Sequence, residues 1–113
     1  MSAHDFIKSG EKIIVLYTQG ELLEFGDDNT GLTGDWNIDP SHSIDRVIIY
    51  WRIEESGYPP RNTLYIANHA GVEFVEEKGR YKIKLAHVQY IGETKLMWDK
   101  FADAGANPIR YLA

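Results

Sequence analysis

The run Asp45-Arg46-Val47-Ile48-Ile49-Tyr50-Trp51-Arg52-Ile53 decides the class of fold. Its residues are β-branched and aromatic, the types that fit a pleated surface. Between Val47 and Trp51 nothing polar interrupts it, so both faces of this strand are expected to be covered. Glu11 to Thr18, with Ile13-Ile14-Val15-Leu16-Tyr17 inside it, reads the same way. Arg80 to Ile91 instead alternates, with Tyr81, Ile83 and Leu85 on one face and Arg80, Lys82 and Lys84 on the other. His87 shares the parity of the first set and is expected to be interior.

Gly20 turns the chain into a short strand, Glu21 to Phe25. Thr63 to Ala67 and Val72 to Glu77 read as strands interrupted near Asn68–Gly71, where Gly71 suits a bulge. Lys78-Gly79 makes a hairpin turn. Thr94 is a helix N-cap for Lys95 to Ala104, which turns Leu96, Met97, Trp98 and Phe101 inward before Gly105 and Pro108 end it. His4 to Ser9 suits one helical turn, and Ile109 to Leu112 a short edge strand. Phe6, Phe25, Phe74 and Phe101 read as core. Residues 26–42 are polar and rich in turn formers, and are expected to form a long loop docked by Leu32 and Trp36. The sum is one strand-rich α+β domain over residues 1–113. Its expected form is a small, mostly antiparallel β-barrel or strongly bent sheet of five to seven strands, with one helix at about 94–104 and a short N-terminal helical turn.

The 113 residues suffice for a core without covalent staples. The chain has no cysteine, which excludes a disulfide scaffold, a thiolate zinc site and a cysteine nucleophile. Residues 1–10 lack the apolar stretch of a secretion signal, and Ile13–Tyr17 is the longest apolar run, so a cytoplasmic protein without membrane attachment is expected. The net charge of −5 is uneven: residues 21–55 hold nine acids against two bases, a balance of −7. Such a segment repels a nucleic-acid duplex unless a local basic face compensates, and suits either a basic protein partner or plain solubility. Asp27, Asp28 and Asp35 are its candidate contact residues for a basic partner.

The phosphate-cradling, dinucleotide, zinc-protease and serine-hydrolase motifs are all missing from the sequence. His69 and His87 fall on different strands and, with Glu73, would make an imidazole–carboxylate metal site if they met; the plainer reading is two unrelated histidines. Asp27, Asp28, Asn29 and Asp35 resemble an acidic metal loop but lack its closing glutamate, so a solvated turn is expected. Asp45, Glu54 or Glu73 with Lys82 or Lys84 is the set a metal-dependent nuclease would use, a combination that chance supplies in most charged domains. Glu54-Glu55 and Glu76-Glu77 point to opposite strand faces and form no acid–base dyad. No catalytic residue, metal ligand or cofactor is therefore assigned.

The aromatics, 12% of the chain, say more. Trp36 lies in a polar stretch, Tyr58 in a Pro-rich loop, and Trp51 beside Arg52 at a strand end. Such rings suit a wall for a planar ligand, since stacking on a base is worth about 1–3 kcal/mol; the plainer role of Trp36 is to pin its loop. Lys82 and Lys84, spaced every second residue between Arg80 and the strand end, match a phosphate backbone over about 13 Å, or else protect a sheet edge.

The segment Phe6-Ile7-Lys8-Ser9-Gly10-Glu11-Lys12-Ile13-Ile14-Val15, the run Asp45-Arg46-Val47-Ile48-Ile49-Tyr50 and the later strand succession together resemble PUA-like domains, the superfamily that includes the EVE and ASCH families. The likeness is one of pattern over about two-thirds of the chain and carries no pocket motif. It implies a small curved barrel that binds RNA or a modified base. The leading expectation is a non-catalytic binding module for a nucleotide or base, using Trp36, Trp51, Arg52, Tyr58, Lys82 and Lys84. An acidic protein-interaction or inhibitor domain of a mobile element or defence system comes second, and a small metal-dependent hydrolase third.

Overall fold

Two strands that are apolar on both sides need cover on both sides, and the fold supplies it. A computed structural model describes residues 1–113. It contains a 3-10 turn, η1 (Ala3–Phe6), then β1 (Ile13–Thr18), β2 (Leu23–Phe25), β3 (Gly31–Trp36), β4 (Arg46–Ile53), β5 (Arg61–Val75), β6 (Arg80–Glu93), α1 (Trp98–Ala102) and β7 (Ile109–Leu112). The strands form one sheet in the order β2-β3-β6-β5-β4-β1-β7. Pairing is antiparallel except between β1 and β4, which run parallel with Ile13 opposite Arg46 and Tyr17 opposite Tyr50. No helix is long and apolar enough to cross a membrane.

The two faces of β1 and β4 serve two cores. Ile13, Val15, Ile48 and Tyr50 pack under η1 and α1, against Ala3, Trp98 and Phe101. Ile14, Leu16, Val47 and Ile49 pack against Trp36, Ile83 and Leu85. The second core exists because the sheet bends until β3 and β6 lie over β1 and β4. The bend is built into the long β5–β6 hairpin, whose register shifts at Leu64/Tyr65, Ile66/Asn68 and His69/Gly71. Gly71 (φ +122°) and Gly92 (φ +118°) take conformations that side chains resist, and His87 (φ +51°) adopts the left-handed region at the middle shift. The ladder stays open between its edge strands β2 and β7, which makes this the bent-sheet form of the expected architecture.

The structure corrects several local expectations. Residues 26–42 are not one loop, since β3 occupies Gly31–Trp36 within them. Gly31 and Gly34, which read as turn formers, are strand glycines that permit close approach. A Cβ on Gly34 would lie 2.7 Å from Lys82 Cγ and 3.2 Å from Lys82 Cα, and one on Gly31 would lie 3.0 Å from the Glu24 carbonyl oxygen. The helix is five residues long rather than the span 94–104. Its expected first turn is drawn out by the sheet: the Thr94 N–H donates to the Asn62 carbonyl (2.9 Å), and the Tyr50 hydroxyl donates to the Leu96 carbonyl (2.7 Å). Thr94 caps no helix; its hydroxyl accepts from the Leu96 N–H (3.1 Å). The left-handed residue that ends the helix is Asp103 (φ +55°). Met97, Phe25 and Phe74, expected inside, are exposed. His87 is exposed as well, because the extra residue at the bulge turns Val88 inward in its place.

The N-terminal segment is fastened by Arg46. Its Nε and Nη2 donate to the two carboxylate oxygens of Glu11, both at 2.6 Å, and Nη2 also donates to the Phe6 carbonyl (2.5 Å). Both side chains are largely buried, and the Arg46 guanidinium holds the Glu11 carboxyl below the usual carboxylate range.

Two outcomes follow. Gly34→Val should destabilise by about 1–3 kcal/mol in urea unfolding through overpacking against β6. Glu11 contributes stability above its ordinary pKa of 4.5, lost as pH falls through the lower folded value. Glu11→Gln should therefore cost about 1–3 kcal/mol at neutral pH and flatten the acid limb of a stability–pH curve.

Candidate functional site

Because β1 and β4 are parallel and in register, both end at the same side of the sheet. Tyr17, Tyr50 and Arg52 then share the face that carries Val15 and Ile48. The start of α1 and the segment before β7 close over them, leaving a cleft of about 370 Å³ lined by Tyr17, Tyr50, Arg52, Met97, Trp98, Asp99 and Pro108. The Tyr17 and Tyr50 rings stack at 5.8 Å between centroids and 30° between planes. Trp98 meets Tyr17 at 5.7 Å and stands edge-on to Tyr50 at 5.5 Å. Tyr50 and Trp98 are almost wholly buried and form the floor, whereas Tyr17 is half-buried and Met97 is exposed at the rim.

Every polar tip of this floor is committed. The Tyr50 hydroxyl donates to the Leu96 carbonyl, and the Trp98 indole N–H donates to the Asn107 carbonyl (2.8 Å). Burial pushes the Tyr50 phenol up to about 12, so it stays a neutral donor across the physiological range. Arg52 is oriented by two bonds, Nε to Glu54 Oε1 (2.7 Å) and Nη1 to Asn62 Oδ1 (3.0 Å). Nη2 makes no hydrogen bond within the protein. The arrangement can stack a flat ring and donate to its acceptors; it holds no nucleophile–base pair.

Tyr17 and Pro108 also wall a second cleft, of about 400 Å³, into which Glu21, Asp35, Lys78 and Arg80 converge. Lys78 Nζ pairs with Asp35 Oδ2 at 2.6 Å. The Asp35 side chain is only 5% exposed, and its Oδ1 is buried without a hydrogen-bond partner.

Of the residues singled out in the sequence, Arg52 alone lines the aromatic cleft. Trp36 is buried, and its indole N–H donates to Thr33 Oγ1 (3.2 Å), which fixes β3 on the second core. Trp51 alternates with Tyr50 and Arg52 and so lies on the other face of β4, in contact with Phe25 and Tyr65. Tyr58 is exposed on the β4–β5 connection beside Pro59 and Arg61. Lys82 and Lys84 alternate with the buried Ile83 and Leu85, so they face away from the core that Trp51 borders, opposite Glu73 and Gly71 of β5. The expected union of Trp51 with a basic strand face is therefore not assembled. Asp27 and Asp28 remain exposed, but Asp35 is withdrawn into its ion pair.

His69 is half-buried, and burial lowers its pKa, while His87 lies exposed beyond the bulge. No group of three or more His, Asp or Glu side chains is placed to hold a metal ion. Sequence reasoning missed Tyr17, Tyr50 and Trp98. Each of the two apolar runs carries a tyrosine toward its end, but only the parallel register, which the sequence does not show, sets the two side by side.

Scans against family models, curated proteins and solved structures return no match. The site's chemistry therefore has to be read from its own geometry.

Tyr50→Phe should cost about 0.5–1.5 kcal/mol, because the Leu96 carbonyl is left unpaired. The raised phenol also means that stability declines as pH climbs from 10 toward about 12. That decline should be shallower in the Tyr50→Phe variant, as measured by urea unfolding across that range.

Proposed function

We propose that this protein is a non-catalytic binding module of PUA-like character that takes the base of a nucleotide in the cleft of Tyr17, Tyr50 and Trp98. The observation that carries the reading is Arg52: a guanidinium held at two nitrogens beside stacked aromatic rings, with its third nitrogen unpaired inside the protein. A planar guest gains stacking against such rings, and an arginine fork reads the acceptor edge of a base. The cleft's 370 Å³ suits a single ring system with its sugar, not a stretch of duplex, and the chain's −5 charge also argues against a duplex. Arg80, across the Tyr17–Pro108 wall, would take the attached phosphate, Lys78 beside it being paired with Asp35. Lys82 and Lys84, on a different face, would add only a general attraction. The early pattern likeness to PUA-like domains and an expected cytoplasmic location agree with this reading.

The test is calorimetric titration of nucleoside monophosphates and short single-stranded RNA and DNA, modified bases included. Saturable binding is expected. Arg52→Ala or Tyr17→Ala should weaken it by about tenfold or more, the equivalent of one lost stacking or charged contact. Arg80→Ala should lower its salt dependence. An absence of saturable heat with every one of these ligands would overturn the proposal.

A further inference from the structure

The opposite face of the sheet carries a second aromatic surface, separate from the cleft. Phe25, at the end of β2, lies 4.8 Å from Tyr65, measured between ring centroids, and Tyr65 lies 5.2 Å from Tyr90. Trp51 joins both Phe25 (6.3 Å) and Tyr65 (6.2 Å). Phe25 is 38% and Tyr90 55% exposed, so the chain of rings opens to solvent at both ends. The surface is stiff beneath. Trp51 and Tyr65 rest on the second core, and Trp51 lies so close over Gly20 that a Cβ there would come within 2.8 Å of its Nε1.

Its rim is acidic. Glu24 alternates with Phe25 and shares the face of Leu32 and Lys84, but Asp27 and Asp28 follow Phe25 and are exposed. The turn that carries them is tied to β6 by the Val88 N–H, which donates to the Asn29 carbonyl (2.8 Å) two residues before Tyr90. Asp28 is fixed by the Thr30 hydroxyl.

We propose that the Phe25–Trp51–Tyr65–Tyr90 surface, with its Asp27–Asp28 rim, docks an arginine-bearing segment of another protein. Charge complementarity selects this occupant. Aromatic faces attract cations, and adjacent carboxylates strengthen the attraction while fixing the approach. A nucleic-acid strand would set its phosphates against the acidic rim. A second copy in a two-fold dimer would set the rim against itself. Exposed aromatic clusters bordered by polar groups are otherwise a mark of protein interfaces.

The experiment titrates a capped Arg-Gly repeat peptide into the protein and follows the NMR resonances of the aromatic rings. Saturable shifts are expected at Phe25, Tyr65 and Tyr90, with none from a Glu-Gly peptide of the same length. Tyr90→Ala, and separately Asp27→Asn with Asp28→Asn, should each weaken binding by about tenfold while leaving the melting temperature close to that of the parent. Glu76→Gln with Glu77→Gln, the same charge change on the β5–β6 turn, should leave binding unaltered. The proposal fails if shifts are absent, if the distant pair weakens binding as much as the rim pair, or if a single-stranded oligonucleotide shifts the same rings instead. It also fails if sedimentation shows a dimer that Tyr90→Ala abolishes. Because the cleft residues Tyr17 and Arg52 take no part, loss of nucleotide binding and loss of peptide binding are read on different variants.

Discussion

The in-register parallel pairing of β1 with β4 constrains the rest of the molecule. Parallel neighbours cannot be joined by a tight turn, so the chain must leave β1, travel and return. Here the journey contains β2 and β3, which attach to the far end of the sheet beside β6. Bending then carries that far end back over the start. The path thus yields both the second core and the cover for the second face of two wholly apolar strands. It also sets both strand ends side by side, which is why two tyrosines far apart in sequence share one cleft.

The strand-rich class, the hairpin at Lys78-Gly79, the bulge at Gly71 and the returning edge strand were legible because each rests on local chemistry: alternation, turn residues, glycine freedom. What was not legible depends on partners distant in sequence. β3 contains Gly31, Gly34 and Asp35, poor strand formers, and is a strand only because β6 lies alongside it so closely that glycine is needed. The helix lost its expected first turns to hydrogen bonds from Tyr50 and toward Asn62. Arg52 was singled out beside Trp51 at a strand end, and it lines the aromatic cleft. Its aromatic companions were not, since Tyr17 and Tyr50 read simply as members of apolar runs.

Strand parity separates the chemistry into two compartments. Tyr50 and Arg52 look toward the helix, whereas Trp51 between them looks toward Phe25 and Tyr65. The same alternation sends Lys82 and Lys84 away from both aromatic groups. The molecule therefore has two aromatic groups on opposite faces, one beside Arg52 and Asp99 and one that leads into the exposed Asp27 and Asp28.

The left-handed residue at His87 has a wider meaning for β6. Before it, odd-numbered side chains such as Ile83 and Leu85 enter the second core; after it, even-numbered ones, Val88 and Tyr90, take that side, and Ile91 joins the first core. The bulge thus acts as a phase shifter, and one strand is written in two reading frames. Substitutions in its two halves are answerable to different neighbours and can drift independently.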